Sequence, residues 1–96
     1  MICDESGRFH FVELKFCKAN AVNLSPHQVA WHFRHKHSSC WTLVKKQNKP
    51  EAAPILFLYH ASQAIDLKAD GLKTEPRLMH TKKFVWDDVF ELICPT

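Results

Sequence analysis

HFVELKF, residues 10–16, places a glutamate and a lysine two positions apart within a run of aromatic and aliphatic side chains. This composition is typical of a β-strand. Because successive side chains of a strand alternate between its two faces, Glu13 and Lys15 lie on one face together with Phe11. The sequence therefore predicts a strand over about 9–16 that carries two opposite charges on the same face.

A strong helix signal follows in LSPHQVAWHFRHKH, residues 24–37. Ser25 suits an N-cap, Pro26 suits the first helical position, and Gln28 completes a capping box with Ser25. These features predict a helix over about 26–37.

Two nearly continuous apolar runs come next, CWTLVKK at 40–46 and ILFLYH at 55–60, and they favour strands covered on both faces. A helix between the strands at 9–16 and 40–46 predicts a right-handed parallel crossover. We expect the first of these strands to lie centrally in a mixed sheet, with the helix packed on one face through Val29 and Phe33.

The two ends of the chain give weaker signals. Residues 4–7, DESG, favour a hairpin turn whose first arm is Met1 to Cys3. Residues 62–71 suggest a short helix ending at Gly71, and residues 72–83 are a loop or contain a weak strand. The final WDDVFELI has helical spacing, and its apolar stripe consists of Trp86, Val89, Phe90 and Ile93.

The 96 residues suit one domain spanning 1–96, and 46% hydrophobic with 24% charged residues is ordinary for a globular protein. The longest apolar run, residues 52–59, is too short to cross a bilayer, so no membrane association and a cytoplasmic location are expected.

The scattered cysteines lack CxxC spacing and are interpreted as reduced thiols: Cys3, Cys17, Cys40 and Cys94. The net charge of +3 leans toward polyanions, although a mixed surface gives the same count.

The strand and helix motifs together resemble those of the PD-(D/E)XK nuclease superfamily, particularly its short phage and resolvase-like members related to virus-type replication-repair nucleases. VELK at 12–15 and LSPHQVAW at 24–31 match the family's strand and helix start, and the resemblance covers about residues 4–60. It implies an α/β fold with a restriction-endonuclease-like mixed sheet flanked by helices. It also implies a DNA nuclease of phage or DNA-repair type, located in the host cytoplasm if phage-encoded.

The resemblance further implies particular roles for three side chains. Glu13 and the backbone carbonyl of Leu14 would bind Mg²⁺ or Mn²⁺, hard ions that prefer oxygen ligands and that activate water against a phosphodiester. Lys15 would orient the attacking water, and Gln28 would face the same site. For Gln28 the role of capping-box partner to Ser25 stays equally open.

Four basic residues are candidate contacts to DNA phosphates: Lys18, Arg34, Lys45 and Lys46. The expected partner is duplex or branched DNA, and a homodimer is left open. A structural ion pair between Glu13 and Lys15 in an unrelated α/β protein remains an alternative, as does a nuclease-like module that binds DNA or protein without cutting.

The sequence departs from the family pattern upstream of Glu13. The family carries an aspartate on the neighbouring strand, but the upstream acids here are Asp4 and Glu5. The hairpin would place Asp4 beside Arg8, roughly 16 Å from Glu13 at about 3.3 Å per residue, which excludes a shared metal ion. Three explanations stay open: the chain is shortened, another subunit supplies the carboxylate, or the fold is kept without catalysis. In each case we expect little or no cleavage by these 96 residues alone.

HFRHKHSSC, residues 32–40, could suggest zinc through His32, His35, His37 and Cys40. Its spacing matches no zinc motif, so we interpret the histidines as solvated residues at a helix C-terminus, where positive charge is favourable. The tryptophans are interpreted as core or interface residues: Trp31, Trp41 and Trp86.

Overall fold

The computed structural model describes residues 2–3, 7–81, 88 and 92–93. Within these residues, each α-helix follows a pair of strands, and short 3₁₀ turns at 61–63 and 71–73 flank the second helix. The elements are β1 (Ile2–Cys3), β2 (Phe9–Cys17), α1 (Pro26–Arg34), β3 (Cys40–Lys46), β4 (Ile55–His60), α2 (Ala64–Asp70) and β5 (Leu78–His80).

The strands form one mixed sheet in the order β1-β2-β3-β4-β5. β2 and β3 are parallel, as the helix between them predicts, and the other neighbours are antiparallel. The expected α/β fold with a mixed sheet is confirmed at this level. β2 lies between β1 and β3 in the sheet, but in the described part of the chain β1 pairs with Phe9 and His10 alone and β3 is the middle strand, so the expectation of a central β2 is met only in part.

One face of the sheet packs against both helices. Its buried cluster joins the loop before α1, the two middle strands and α2, and consists of Val22, Leu24, Val44, Phe57, Tyr59 and Leu67. Val29 of α1 packs against this cluster, as predicted. Burial of an aliphatic side chain of this size contributes about 1.5–3 kcal/mol. The helices are therefore held to the sheet mainly by apolar contact.

Phe33 does not pack on the sheet, which corrects the prediction for α1. Its side chain is 47% exposed, and the ammonium group of Lys36 lies 4.1 Å from its ring centre. The residue that turns inward is His32, which is completely buried. The side of α1 that faces the sheet therefore includes a polar residue, His32, which bonds to Glu13 of β2.

The helix also ends earlier than predicted, at Arg34 rather than near His37. His35 is the C-cap, and its ring Nδ1 bonds to the carbonyl oxygen of Trp31 at 2.7 Å. The Ser38 amide then donates to the His35 carbonyl at 2.9 Å, which closes a turn leading into β3. The polar residues after Arg34 offer no apolar face that would favour another helical turn.

The opposite face of the sheet carries a second buried cluster, formed by Trp41, Leu43, Leu58 and Ile93. Trp41 is therefore a core residue, as predicted. Asp88, Leu92 and Ile93 are helical, but the other residues of the predicted terminal helix, including Trp86, Val89 and Phe90, lie outside the described residues.

Candidate functional site

The predicted pair of charges lies where β2 faces α1. Glu13 and Lys15 are each 21% exposed, and the Lys15 ammonium nitrogen lies 3.3 Å from Oε1 of Glu13. Both side chains point to the helix-covered face of the sheet because they occupy alternate positions of one strand. The expectation that the two charges share a face is confirmed.

Gln28 links the strand to the start of α1. Its side-chain Nε2 donates to Oε1 of Glu13 at 2.6 Å, and its Oε1 accepts from Lys15 at 3.1 Å. The same Oε1 accepts from the backbone amide of Ser25 at 3.0 Å, while the Ser25 hydroxyl accepts from the Gln28 amide at 3.1 Å. The two roles that the sequence left open are therefore both present, because the amide group has separate donor and acceptor ends.

His32 completes the cluster and was misread from the sequence as a solvated histidine. Its Nε2 lies 3.1 Å from Oε2 of Glu13. Since an ionised carboxylate only accepts hydrogen bonds, Nε2 carries the proton in this contact. Nδ1 of His32 is buried and has no hydrogen-bond partner. The available sequence signal was spacing: His32 lies four positions after Gln28 and hence on the same side of the helix.

An open cleft of about 460 Å³ adjoins this cluster. The rings of Phe11, His27 and Trp31 line this cleft together with three polar side chains of the cluster, Glu13, Gln28 and His32. The ring centres of Phe11 and Trp31 lie 4.7 Å apart, and the His35 ring stacks on Trp31 with a centre-to-centre distance of 4.1 Å. Trp31 is therefore half-buried beside the cleft.

The backbone carbonyl of Leu14, the second predicted metal ligand, does not point toward β3. The Phe11 amide donates to the Ser39 carbonyl at 2.9 Å, and the Gln47 amide donates to the Cys17 carbonyl at 3.0 Å, so the odd-numbered residues of β2 bond to β3. Because these groups alternate along a strand, the N–H and C=O of Leu14 point to the opposite edge.

The hairpin register shows which position of a longer β1 would face Glu13. Ile2 pairs with His10 and Cys3 with Phe9, so the numbers of each pair sum to 12. The position across from Glu13 would therefore stand two places before residue 1. Asp4 and Glu5, the other upstream acids, lie outside the described residues.

These contacts bear on whether the site suits a divalent cation. Oε1 of Glu13 has two donors and Oε2 has one, and the nearest cation is the Lys15 ammonium. Among the described residues, no group of three or more His, Cys, Asp or Glu side chains could hold a metal ion. Glu13 and Leu14 by themselves therefore do not make a complete site for Mg²⁺, which takes six oxygen ligands.

The predicted phosphate contacts are dispersed. Lys18 and Lys45 line one shallow cleft at the end of β2, whereas Lys46 donates to Oδ1 of Asn20 at 2.9 Å. Arg34 is exposed in the last turn of α1. None of these four residues lines the cleft beside Glu13.

Two cysteines can be assessed in the described part of the chain. Cys17 and Cys40 are free thiols. Burial raises the pKa of both thiols, so they are less reactive than an exposed cysteine.

Comparisons with protein-family models, with curated proteins and with solved structures gave no match to this chain. Across the described residues, no helix combines the length and apolar character needed to cross a membrane.

Proposed function

We propose that this protein is a nuclease-type domain that binds duplex or branched DNA, with Glu13, Lys15 and Gln28 as half of a metal-dependent phosphodiesterase site. The observation that carries the proposal is the convergence of these three side chains, which belong to a strand and a helix start separated by a loop. A structural ion pair alone would not require the amide of a capping residue to join it.

Each side chain has a chemical task in this proposal. A bound Mg²⁺ or Mn²⁺ would supply Lewis-acid chemistry and neutralise phosphate charge. Lys15 holds a positive charge beside Glu13 and would stabilise negative charge that develops on a phosphate. Gln28 orients the Glu13 carboxylate through a 2.6 Å hydrogen bond.

The proposal requires a second carboxylate from outside the described residues. A single carboxylate holds hydrated Mg²⁺ weakly, and Glu13 is already engaged by three donor side chains. We therefore expect the 96-residue chain alone to show little or no cleavage with Mg²⁺ or Mn²⁺. The cytoplasmic location belongs to the same proposal.

A second candidate function is a nuclease-like module that binds DNA without cutting it. The engagement of Glu13 by Lys15, Gln28 and His32 favours it, because the carboxylate is satisfied without a metal ion. Cleavage by a completed site would decide between the two candidates.

Fluorescence anisotropy with labelled duplex and four-way branched DNA tests the binding that both candidates share. Affinity should fall steeply with salt, because lysine and arginine contacts to phosphates release counterions. Lys45→Gln should reduce the salt slope by about 1, while Lys73→Gln, a lysine far along the chain and outside the predicted set, serves as the control. Absence of binding at low salt would contradict both candidates and favour the unrelated α/β protein.

A further inference from the structure

The outer edge of β2 offers hydrogen-bonding groups that the described part of the sheet does not use. Because the odd-numbered residues of β2 bond to β3, the N–H and C=O groups of Val12, Leu14 and Phe16 point away from it. β1 reaches only as far as His10. Among residues 2–3 and 7–81, no strand pairs with this edge between Phe11 and Cys17.

This edge lacks the features that usually prevent strand pairing. Proline, β-bulges and charged side chains commonly protect edge strands, and residues 11–17 contain no proline and two charges. The two charges of the strand, Glu13 and Lys15, are bonded to each other and to α1. On the opposite face, Leu14 is 60% and Phe16 is 73% exposed.

We propose that a second copy of this chain binds the β2 edge in antiparallel orientation, with Leu14 directly opposite the partner's Leu14. In this register the numbers of paired residues sum to 28. Glu13 then lies opposite the partner's Lys15, and Val12 lies opposite the partner's Phe16. Opposite charges and apolar pairs both stabilise an antiparallel ladder, by about 0.2–1 kcal/mol for each pair.

Charge and backbone direction select this register over its neighbours. Residues with outward-pointing backbone groups must face each other, so even-numbered residues pair with even-numbered residues and the two-fold axis passes through a residue rather than between two residues. An axis at Glu13 would oppose two glutamates, and an axis at Lys15 would oppose two lysines. An axis at Leu14 avoids both and uses all three outward-pointing residues of each strand.

The pairing is isologous, because the same segment of both copies forms the interface. A pair of seven-residue strands is small beside the roughly 800 Å² that each partner buries in a standard interface. We therefore expect a weak dimer whose population rises with protein concentration. The interface shares Glu13, Lys15 and the Leu14 carbonyl with the proposed nuclease site, but strand pairing requires neither a metal ion nor DNA, so the two proposals can fail separately.

Cysteine cross-linking tests both the interface and its register. In a hydrogen-bonded antiparallel pair the opposite Cα atoms lie about 5.5 Å apart, which a disulfide spans. Leu14→Cys should give a disulfide-linked dimer on mild oxidation. Phe16→Cys is the matched control on the same face, because the two Phe16 positions would be offset by four residues, or about 13 Å.

Wild-type protein measures the background from native cysteines, and circular dichroism confirms that each variant folds. The proposal predicts several-fold more cross-linked dimer for Leu14→Cys than for Phe16→Cys or wild type, and a concentration-dependent increase in the sedimentation coefficient of wild type. Equal cross-linking of the two variants would overturn the register. Sedimentation as a monomer at every concentration, together with background cross-linking of Leu14→Cys, would overturn the dimer.

Discussion

Gln28 Nε2 lies 2.6 Å from Oε1 of Glu13, so the third residue of α1 is bonded to the middle of β2. The same side chain closes the capping box with Ser25. The start of the helix and the candidate site are therefore one hydrogen-bonded unit.

This double role predicts unequal effects of two alanine substitutions. Ser25→Ala removes the N-cap oxygen and should lower the free energy of unfolding by about 1 kcal/mol. Gln28→Ala also removes a bond to a charged carboxylate, and such bonds contribute about 1.5–3 kcal/mol, so its effect should be larger. Urea unfolding of both variants measures the difference, and equal losses would show that the Gln28–Glu13 bond adds no stability.

The register of β1 predicts how the proposed nuclease site can be completed. An added N-terminal extension that continues β1 would place an aspartate across from Glu13 if it stands two positions before residue 1. This variant should gain Mn²⁺-dependent nicking of plasmid DNA that EDTA abolishes and that Glu13→Gln removes.

Two controls accompany the extension. Asparagine at the same position keeps the shape without the charge, and aspartate one position later would face Val12 on the other side of the strand. Neither should nick. Failure of the aspartate extension to bind Mn²⁺, measured by calorimetry on a folded variant, would contradict the metal site itself.

His60 predicts a specific dependence of stability on pH. Burial lowers the pKa of His60 below its usual value of 6.5. The Ser62 amide donates to Nδ1 at 3.1 Å and Nε2 lies 2.9 Å from the Ser38 carbonyl, an arrangement that fits the neutral ring.

Protonation of His60 therefore favours the unfolded chain, and its contribution to stability is lost as pH falls from about 6.5 toward the lower folded-state pKa. His60→Asn should flatten the decline in unfolding free energy over this range. Chemical denaturation of both proteins between pH 7 and pH 5 gives the comparison, and parallel declines would contradict it.

Two glycines provide a matched test of a close backbone contact. Gly7 and Gly71 both have positive φ, of 84° and 61°. A Cβ atom at Gly71 would clash with the Asn20 carbonyl oxygen, whereas one at Gly7 would meet nothing within 4 Å. Gly7→Ala should cost only backbone strain, about 1 kcal/mol, and Gly71→Ala should cost considerably more. Similar melting temperatures for the two variants would exclude the predicted clash.

Much of this architecture was predictable from local sequence signals. The strands at 9–16, 40–46 and 55–60 and the Ser25 cap were correctly placed, because their alternation and capping chemistry act within a few residues. The parallel pairing of β2 and β3 followed from the intervening helix.

The incorrect predictions concern residues whose burial or position depends on contacts with residues far away in the sequence. His32 has the sequence context of a surface histidine, and only the approach of Glu13, nineteen positions away, explains its burial. Phe33 was expected inside because it is apolar, but α1 turns His32 toward the sheet and leaves Phe33 exposed. The hairpin arm predicted over Met1 to Cys3 corresponds to β1 (Ile2–Cys3), and because this short strand reaches only His10, most of β2 has a single neighbour among the described residues.

If the Leu14 carbonyl binds a divalent cation as proposed, metal binding and self-association would compete for the same edge of β2. A cation on that oxygen, with its bound waters, would occupy the space beside the strand where the partner strand has to lie, about 4.8 Å away. By thermodynamic linkage, a cation that binds only the separate chain shifts the equilibrium away from the dimer. Occupancy of the site would then depend on protein concentration as well as on metal concentration, and Mn²⁺ would dissociate dimers.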